Sequence, residues 1–340
     1  MQQQALSPRR GRILKHVIEE YVVTAQPVSS DALVRKYVHA VSSATVRNEM
    51  AALEDFGYLY HPHTSAGRVP SDLGYRYYVE WLMADARLSQ MEERTISHQF
   101  HQVELDVSEW LTLAASVLAS HLQNPVMIAP PVAHVSRVRR IDLVKMASGV
   151  TLLVVILMSG AVRQQVLRTV EDPPADELAQ LAMELNDVLV GRSAPEVQRL
   201  AASSQTSDLL YDVLRLLEEA DRHPGQVHVE GLSYIAAQPE FGTGERLGPI
   251  VEAIERDGVL SSLMEPLLRS EGAYVAIGQE QPLERLRECA AILATYGRPE
   301  ELLGVVGVIG PTRLPYWRAV PMVNYIAAML DRLLEETFLS

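Results

Sequence analysis

The stretch Ser42-Ser43-Ala44-Thr45-Val46-Arg47-Asn48-Glu49-Met50-Ala51-Ala52-Leu53 runs to Gly57. It is followed by Tyr58-Leu59-Tyr60, then His61-Pro62-His63-Thr64-Ser65-Ala66-Gly67, then Arg68-Val69-Pro70. Val46, Met50 and Leu53 fall at i, i+4 and i+7, which is one face of a helix. Ser42 and Ser43 suit its start, and Gly57 suits a left-handed cap at its end. Beyond Gly57 the period shortens to a strand, a run of turn formers and a returning edge strand. Upstream, Ser7-Pro8 opens a helix that carries Ile13, Leu14, Val17, Ile18 and Tyr21 at helical spacing. Gln26-Pro27 breaks it, Ser29-Ser30-Asp31 opens a short second helix, and a turn follows through His39-Ala40-Val41. Downstream, Ser71-Asp72 starts a helix with Tyr75, Tyr78 and Leu82 on one side. Three helices followed by a hairpin is the order of a winged helix-turn-helix.

The polar face of the third helix then has a reading in chemistry. With Val46, Met50 and Leu53 turned inward, Ala44, Asn48 and Ala51 face outward, flanked by Thr45 and Arg47. Small residues let such a helix approach a groove closely. Arg bonds guanine and Asn bonds adenine, each through two hydrogen bonds. Ser42 and Ser43 offer hydroxyls and free backbone N–H groups to a phosphate. In the hairpin, His63, Thr64, Ser65, Gly67 and Arg68 are the candidate wing contacts, with hydroxyls and a cation for the backbone of the duplex. Arg9, Arg10, Arg12 and Lys15 on the first helix are further candidates.

The rest of the chain sets the frame. At 340 residues it is long enough for two or three domains, and 48% apolar and 21% charged residues mark it as globular. Its net charge of −13 argues, as a total, against a polyanionic partner. The charge is unevenly placed: residues 1–85 hold nine basic and nine acidic side chains, so the whole deficit lies in 86–340. Residues 86–122 read as a connecting helical region. From 132 to 170 the texture is that of an antiparallel meander, its central run Val150–Met158 expected to be buried on both faces, with Pro125 and Pro130-Pro131 marking its border. Residues 175–222 are helical in pattern, Val227–Ala236 extended, and 247–268 helical again. Strand texture returns at 273–279, 288–295 and 302–309, and a helix closes the chain. Strands on both sides of a helical block indicate one α+β domain with an insertion.

Several chemistries lack their residues. A single cysteine, Cys289, excludes an internal disulfide and any Cys-based zinc or CxxC site, and its apolar setting predicts a buried hydrophobe. The pairs His61/His63 and His98/His101 stand without further ligands, so no metal or cofactor is expected. There is no GxSxG, P-loop or GxGxxG, and Gly304, Gly307 and Gly310 lie in an apolar strand, so the expectation is a protein that is not an enzyme. Tyr75, Tyr77, Tyr78 and Trp81 are expected to pack a helix on its domain rather than to stack bases. The longest apolar run is nine residues, too short to span a membrane, and the N-terminus has no signal-peptide pattern. A cytoplasmic protein is expected.

The segment 42–50, together with 62–70 (Pro62-His63-Thr64-Ser65-Ala66-Gly67-Arg68-Val69-Pro70) and Gly74-Tyr75-Arg76-Tyr77-Tyr78-Val79, resembles the family of heat-inducible transcription repressors HrcA. Val308-Ile309-Gly310-Pro311-Thr312-Arg313-Leu314-Pro315-Tyr316 resembles the C-terminal part of the same family. The resemblance implies an α+β multidomain chain: a winged helix over 1–85, a connecting region over 86–122, a GAF-like domain from 123–170 and 270–340, and an inserted dimerisation domain over 171–269. It implies a homodimer on an inverted-repeat operator in double-stranded DNA, repression of chaperone operons, and dependence on a GroEL-type chaperonin. The alternative function is a metabolite-responsive regulator with a small molecule in the GAF-like domain; its mainly aliphatic strands favour a filled core.

Overall fold

The computed structural model describes residues 6–37, 41–63, 67–83, 86–100, 102, 107–132, 135–168, 172–202, 207–222, 227–242, 244–255, 258–298 and 302–338. Helix α1 (Pro8–Thr24) begins where Ser7 Oγ accepts from Arg10 N, and α2 (Ser30–Lys36) where Ser29 Oγ accepts from Ala32 N. Helix α3 (Ser43–Asp55) is capped by Ser42 and followed by Gly57 at φ +78°. Strands β1 (Leu59–Tyr60) and β2 (Val69–Pro70) pair antiparallel, Leu59 opposite Pro70. Val28 adds a third rung, exchanging two 2.9 Å backbone bonds with Arg68. The three helices close on Ile13, Leu14, Leu33, Val46, Met50 and Leu53, each at most 1% exposed. The expected turn at 39–40 lies outside the described residues.

Helix α4 (Asp72–Tyr77) runs on as a π-helical stretch over Tyr78–Leu82. Tyr75, Tyr77 and Tyr78 are buried, as packing residues should be, while Trp81 is 63% exposed. Gly74 lets α4 lie on the first hairpin strand, because a Cβ there would stand 2.3 Å from Tyr58 O. Gly74→Ala is therefore expected to cost about 1–3 kcal/mol through forced displacement of the helix, read as a lower denaturation midpoint.

Two compact units are formed, residues 1–128, 228–295 and 306–328 in one and residues 129–227, 296–305 and 329–340 in the other. The first contains α1–α4, α5 (Gln90–Phe100), α6 (Val107–Leu122) and most of a five-stranded sheet. That sheet uses β3 (Val126–Val132), β7 (His228–Glu230), β8 (Tyr274–Ile277), β9 (Cys289–Arg298) and β10 (Leu302–Pro311) in the order β7-β3-β10-β9-β8. Helices α10 (Leu232–Ala236), α11 (Gly244–Glu255), α12 (Gly258–Leu268) and α13 (Tyr316–Phe338) complete the chain. Burial pushes the Cys289 thiol up to about 12, so it sits in β9 as a small core side chain. Gly307 lets β10 approach β9: a Cβ there would meet Leu293 Cδ2 at 2.1 Å.

The second unit holds an antiparallel sheet of β4 (Val138–Ala147), β5 (Val150–Leu157) and β6 (Val162–Arg168), with α7 (Ala175–Leu189), α8 (Ala194–Ala201) and α9 (Ser207–Arg222). Asn186 on α7 is bound to the backbone of Ile141 on both sides, accepting from its N–H at 2.8 Å and donating to its C=O at 2.7 Å. Val138, Ile141, Leu153, Val155, Leu189 and Val197 share the core.

The pairing differs from the expected segmentation in three places. The strands over 138–168 form their own sheet with the helices over 175–222, whereas β3 joins β7 to β10, so sheet membership changes after residue 132 rather than at 171. The central strand β5 is buried on alternate residues only, because helices cover one of its faces. The extended segment expected over Val227–Ala236 is a three-residue strand followed by α10. Pro130 and Pro131 lie within β3, past Ile128, where its pairing with β7 ends and no ladder N–H is needed on that side.

Candidate nucleic-acid interface

Helix α3 offers its N-terminal half to solvent. Ser42, Ala44, Arg47 and Asn48 are exposed, and Ser43 and Thr45 are half-buried. Ser42 Oγ accepts from Thr45 N at 3.2 Å and lies 3.0 Å from Thr45 Oγ1. Ser43 is engaged inward: its hydroxyl donates to Asp31 Oδ1 and sits 3.0 Å from Ser30 Oγ, which joins α3 to α2. Arg47 and Asn48 have no side-chain partner among the described residues. These two side chains are therefore free to take new hydrogen bonds.

The wing divides. Thr64 and Ser65 lie outside the described residues. His63 is exposed. Gly67 is fixed by its neighbours, since a Cβ there would lie 2.5 Å from the Val28 carbonyl. Arg68 does not project as a free cation, contrary to expectation. Its side chain is 11% exposed and its Nε donates to Glu54 Oε2 at 3.0 Å. His61 Nδ1 lies 2.6 Å from the other oxygen of Glu54, so one carboxylate in the last turn of α3 grips both sides of the hairpin. Nothing in the local sequence around Arg68 shows this, because its partner lies fourteen residues away on another element.

Burial would raise the Glu54 carboxyl, but the bonds from His61 and Arg68 outweigh it and hold the pKa below the ordinary carboxylate value. The folded pKa is depressed, so this contribution is complete above the unfolded pKa. It is lost as pH falls through the folded one. Arg68→Ala is expected to destabilise the N-terminal elements by about 1.5–3 kcal/mol, the range for a charge-assisted hydrogen bond. It should leave the salt slope of DNA binding unchanged, which a titration at several salt concentrations reads.

The other cations of residues 1–85 sort in the same way. Arg10 Nε donates to Glu49 at 2.7 Å, with its guanidinium 5.4 Å from the Phe56 ring centre. Arg9 is 4.0 Å from the same carboxylate, and Lys15 is 3.9 Å from Glu19. Lys36 Nζ is 2.5 Å from Glu20. Arg76 is bound to Glu280 and donates to Val275 O at 2.6 Å. Arg12, Arg35 and Arg47 remain exposed and unpaired among the described residues. The cations of this segment are thus mostly paired, and the unpaired ones include Arg47 on the exposed face of α3.

Among the described residues no group of three or more His, Cys, Asp or Glu could hold a metal ion, and no helix is long and apolar enough to cross a membrane.

A family model described as "HrcA protein C terminal domain" matches residues 108–320. The heat-inducible transcription repressor HrcA of Roseiflexus sp. (strain RS-1) is 40% identical, covering 98% of this chain and 96% of that one. Its counterpart in Geobacter sulfurreducens is 34% identical, covering 97% of this chain and 98% of that one. A crystal structure described only as that of a hypothetical protein superposes with a TM-score of 0.68 at 26% identity, over 98% of this chain and 100% of that one.

Proposed function

Because the chain belongs to the HrcA family of heat-inducible transcription repressors, whose members repress heat-shock genes, we propose that it binds an inverted-repeat operator in double-stranded DNA as a homodimer. Residues 1–85 act as a winged helix-turn-helix, with α3 in the major groove. The observation that carries this reading is the contrast along α3: Val46, Met50 and Leu53 are at most 1% exposed, while Arg47 and Asn48 face solvent unpartnered among the described residues. Arg47 and Asn48 read bases, with Thr45 beside them, and Ser42 and Ser43 at the helix start, with His63, Thr64, Ser65 and Gly67 in the wing, contact the backbone. Arg68 acts one step back, by holding the wing to α3.

The five-stranded sheet with α6 and α13 is the GAF-like part. The dimer forms through the outer face of the β4-β5-β6 sheet. Opposite residues there share a face, so Val144, Leu152 and Val166 make one aliphatic row across three strands, beside a row of Asp142, Val154 and Gln164 and one of Arg140, Ile156 and Val162. Val144, Val162 and Val166 are 45–59% exposed. An aliphatic row with an Arg140–Asp142 ion pair beside it suits an isologous, two-fold contact. Twofold protein symmetry in turn matches an inverted repeat.

A GroEL-type chaperonin sustains the active repressor, so damaged protein that occupies the chaperonin relieves repression. Titrating the purified chain on DNA from upstream of the chaperonin genes, with and without chaperonin, tests this. Specific retention that strengthens with chaperonin is expected; equal retention of a scrambled duplex would refute operator recognition.

A further inference from the structure

Within the first unit, the chain leaving α3 is tied to α4. Tyr58 N donates to Leu53 O at 2.9 Å, Ser71 N donates to Tyr58 O at 3.1 Å, and Ser71 Oγ donates to Gly57 O at 2.5 Å. Gly74 brings α4 onto the same Tyr58 carbonyl. Whatever fixes the direction of α4 therefore fixes that of α3. Asp72 and Arg76, one turn apart on α4, both reach the short turn Gly278–Glu280 that follows β8, the edge strand of the five-stranded sheet. Asp72 Oδ2 accepts from Gln279 N at 3.0 Å. Arg76 donates to both oxygens of Glu280, through Nε at 2.8 Å and through Nη2, and Nη2 also donates to Val275 O at 2.6 Å. Glu280 Oε2 is itself held by Ile277 N at 2.9 Å. Gly278, at φ +53°, lies so close to α4 that a Cβ there would overlap the Asp72 carboxylate.

The other contacts of this joint are different in kind. Tyr75 lies 5.7 Å from Tyr316 and Tyr78 lies 6.2 Å from Trp317, ring centre to ring centre. Tyr75, Tyr78 and Tyr316 are buried, and the Tyr75 hydroxyl has no hydrogen-bond partner among the described residues. Such packing holds α4 down but is not directional. Arg313 Nη1 reaches Val22 O on α1 at 3.3 Å, at the long limit of a hydrogen bond. A two-pronged Arg–carboxylate pair, by contrast, has a narrow geometry. The polar clasp of Asp72 and Arg76 on the turn is what gives α4 one direction.

We propose that Glu280 is a positioning residue for operator binding. It touches no DNA. Through Arg76 it sets the direction in which α4, and with it α3, leaves the sheet. This rests on the dimeric operator reading. When each α3 is held in one direction, the first half-site contact presents the second helix at a high effective concentration. A segment that swivels at this joint lowers that concentration and pays for its own ordering on binding. The contact of one α3 with one half-site is unaffected.

The test places its substitutions in the turn, so that residues 1–85 stay as they are. Glu280→Ala removes the carboxylate, which is exposed, so no cavity is left. Gly278→Ala drives a methyl group against Asp72 and parts the clasp from the other side. Each full-length protein is titrated on a duplex with one half-site and on a duplex with both. Wild type should bind the two-site duplex about a hundredfold or more tightly than the one-site duplex. In both variants the one-site affinity should stay within about twofold of wild type, while the gain from the second half-site falls about tenfold. The variants should also accept a changed half-site spacing that wild type rejects. An equal loss on both duplexes, or the wild-type gain retained in either variant, would overturn the proposal and leave the operator reading standing. A wild type that gains nothing from the second half-site would overturn both.

Discussion

Val144→Asp combined with Val166→Asp is expected to leave a folded monomer whose operator affinity is lower by about a hundredfold or more. Both side chains are about half exposed on the outer face of the β4-β5-β6 sheet, so neither supports the fold of its own unit. The core beneath that sheet lies on the opposite face, where Leu153 and Val155 are fully buried against helices. Two carboxylates per protomer, doubled across a two-fold contact, place like charges against each other with no cation in the row they join: Val144 and Val166 flank Leu152. Losing the dimer makes two linked half-site contacts into independent ones, and the linked advantage is typically two to four orders of magnitude. Light scattering gives the mass and a gel-shift titration gives the affinity. A doubly substituted protein that remains dimeric would place the interface elsewhere.

Arg47→Ala is expected to weaken specific binding by about 1–3 kcal/mol, roughly five- to a hundredfold, and to relax discrimination at one base pair in each half-site. The side chain is exposed and unpartnered among the described residues, so its removal leaves no buried charge and no broken ion pair. Stability should be unchanged within about 0.5 kcal/mol, the range for ordinary surface substitutions. This separates it from Arg68→Ala, which acts through the Glu54 contact and should lower stability while leaving base preference intact. Two arginines in one N-terminal segment thus predict opposite signatures. An Arg47 variant with full affinity would remove α3 from the groove.

The local parts of the fold were legible in the sequence. Val46, Met50 and Leu53 marked the buried stripe of α3, Ser7, Ser29 and Ser42 marked helix starts, and the apolar runs after 288 and 302 marked β9 and β10. Long-range partners left no such trace. The strand over 126–132 and the strands over 138–168 have the same aliphatic texture, yet β3 pairs with β7, about a hundred residues on, while β4–β6 close a sheet of their own. Pairing of that kind is set by which face each strand must bury, and a single strand's composition does not state it.

The exposed face of α3 was legible to the same depth. Arg47 and Asn48 followed from helical spacing alone. The fate of Arg68 did not, because a cation after a turn glycine looks free until the fold brings Glu54 beneath it. The same holds for Arg10 and Glu49, thirty-nine residues apart and 2.7 Å apart in space. The negative total charge, which read as a whole turns DNA away, coexists with a segment whose cations are mostly paired and whose few unpaired ones include Arg47.

The most direct measurement is a competition series in which wild type and Arg47→Ala are titrated on an operator duplex carrying each base-pair substitution in turn. Wild type should lose affinity at symmetric positions in both half-sites. The variant should be indifferent at one of those positions per half-site and otherwise follow the same profile. A uniform loss across all duplexes, including a scrambled one, would contradict base reading by α3.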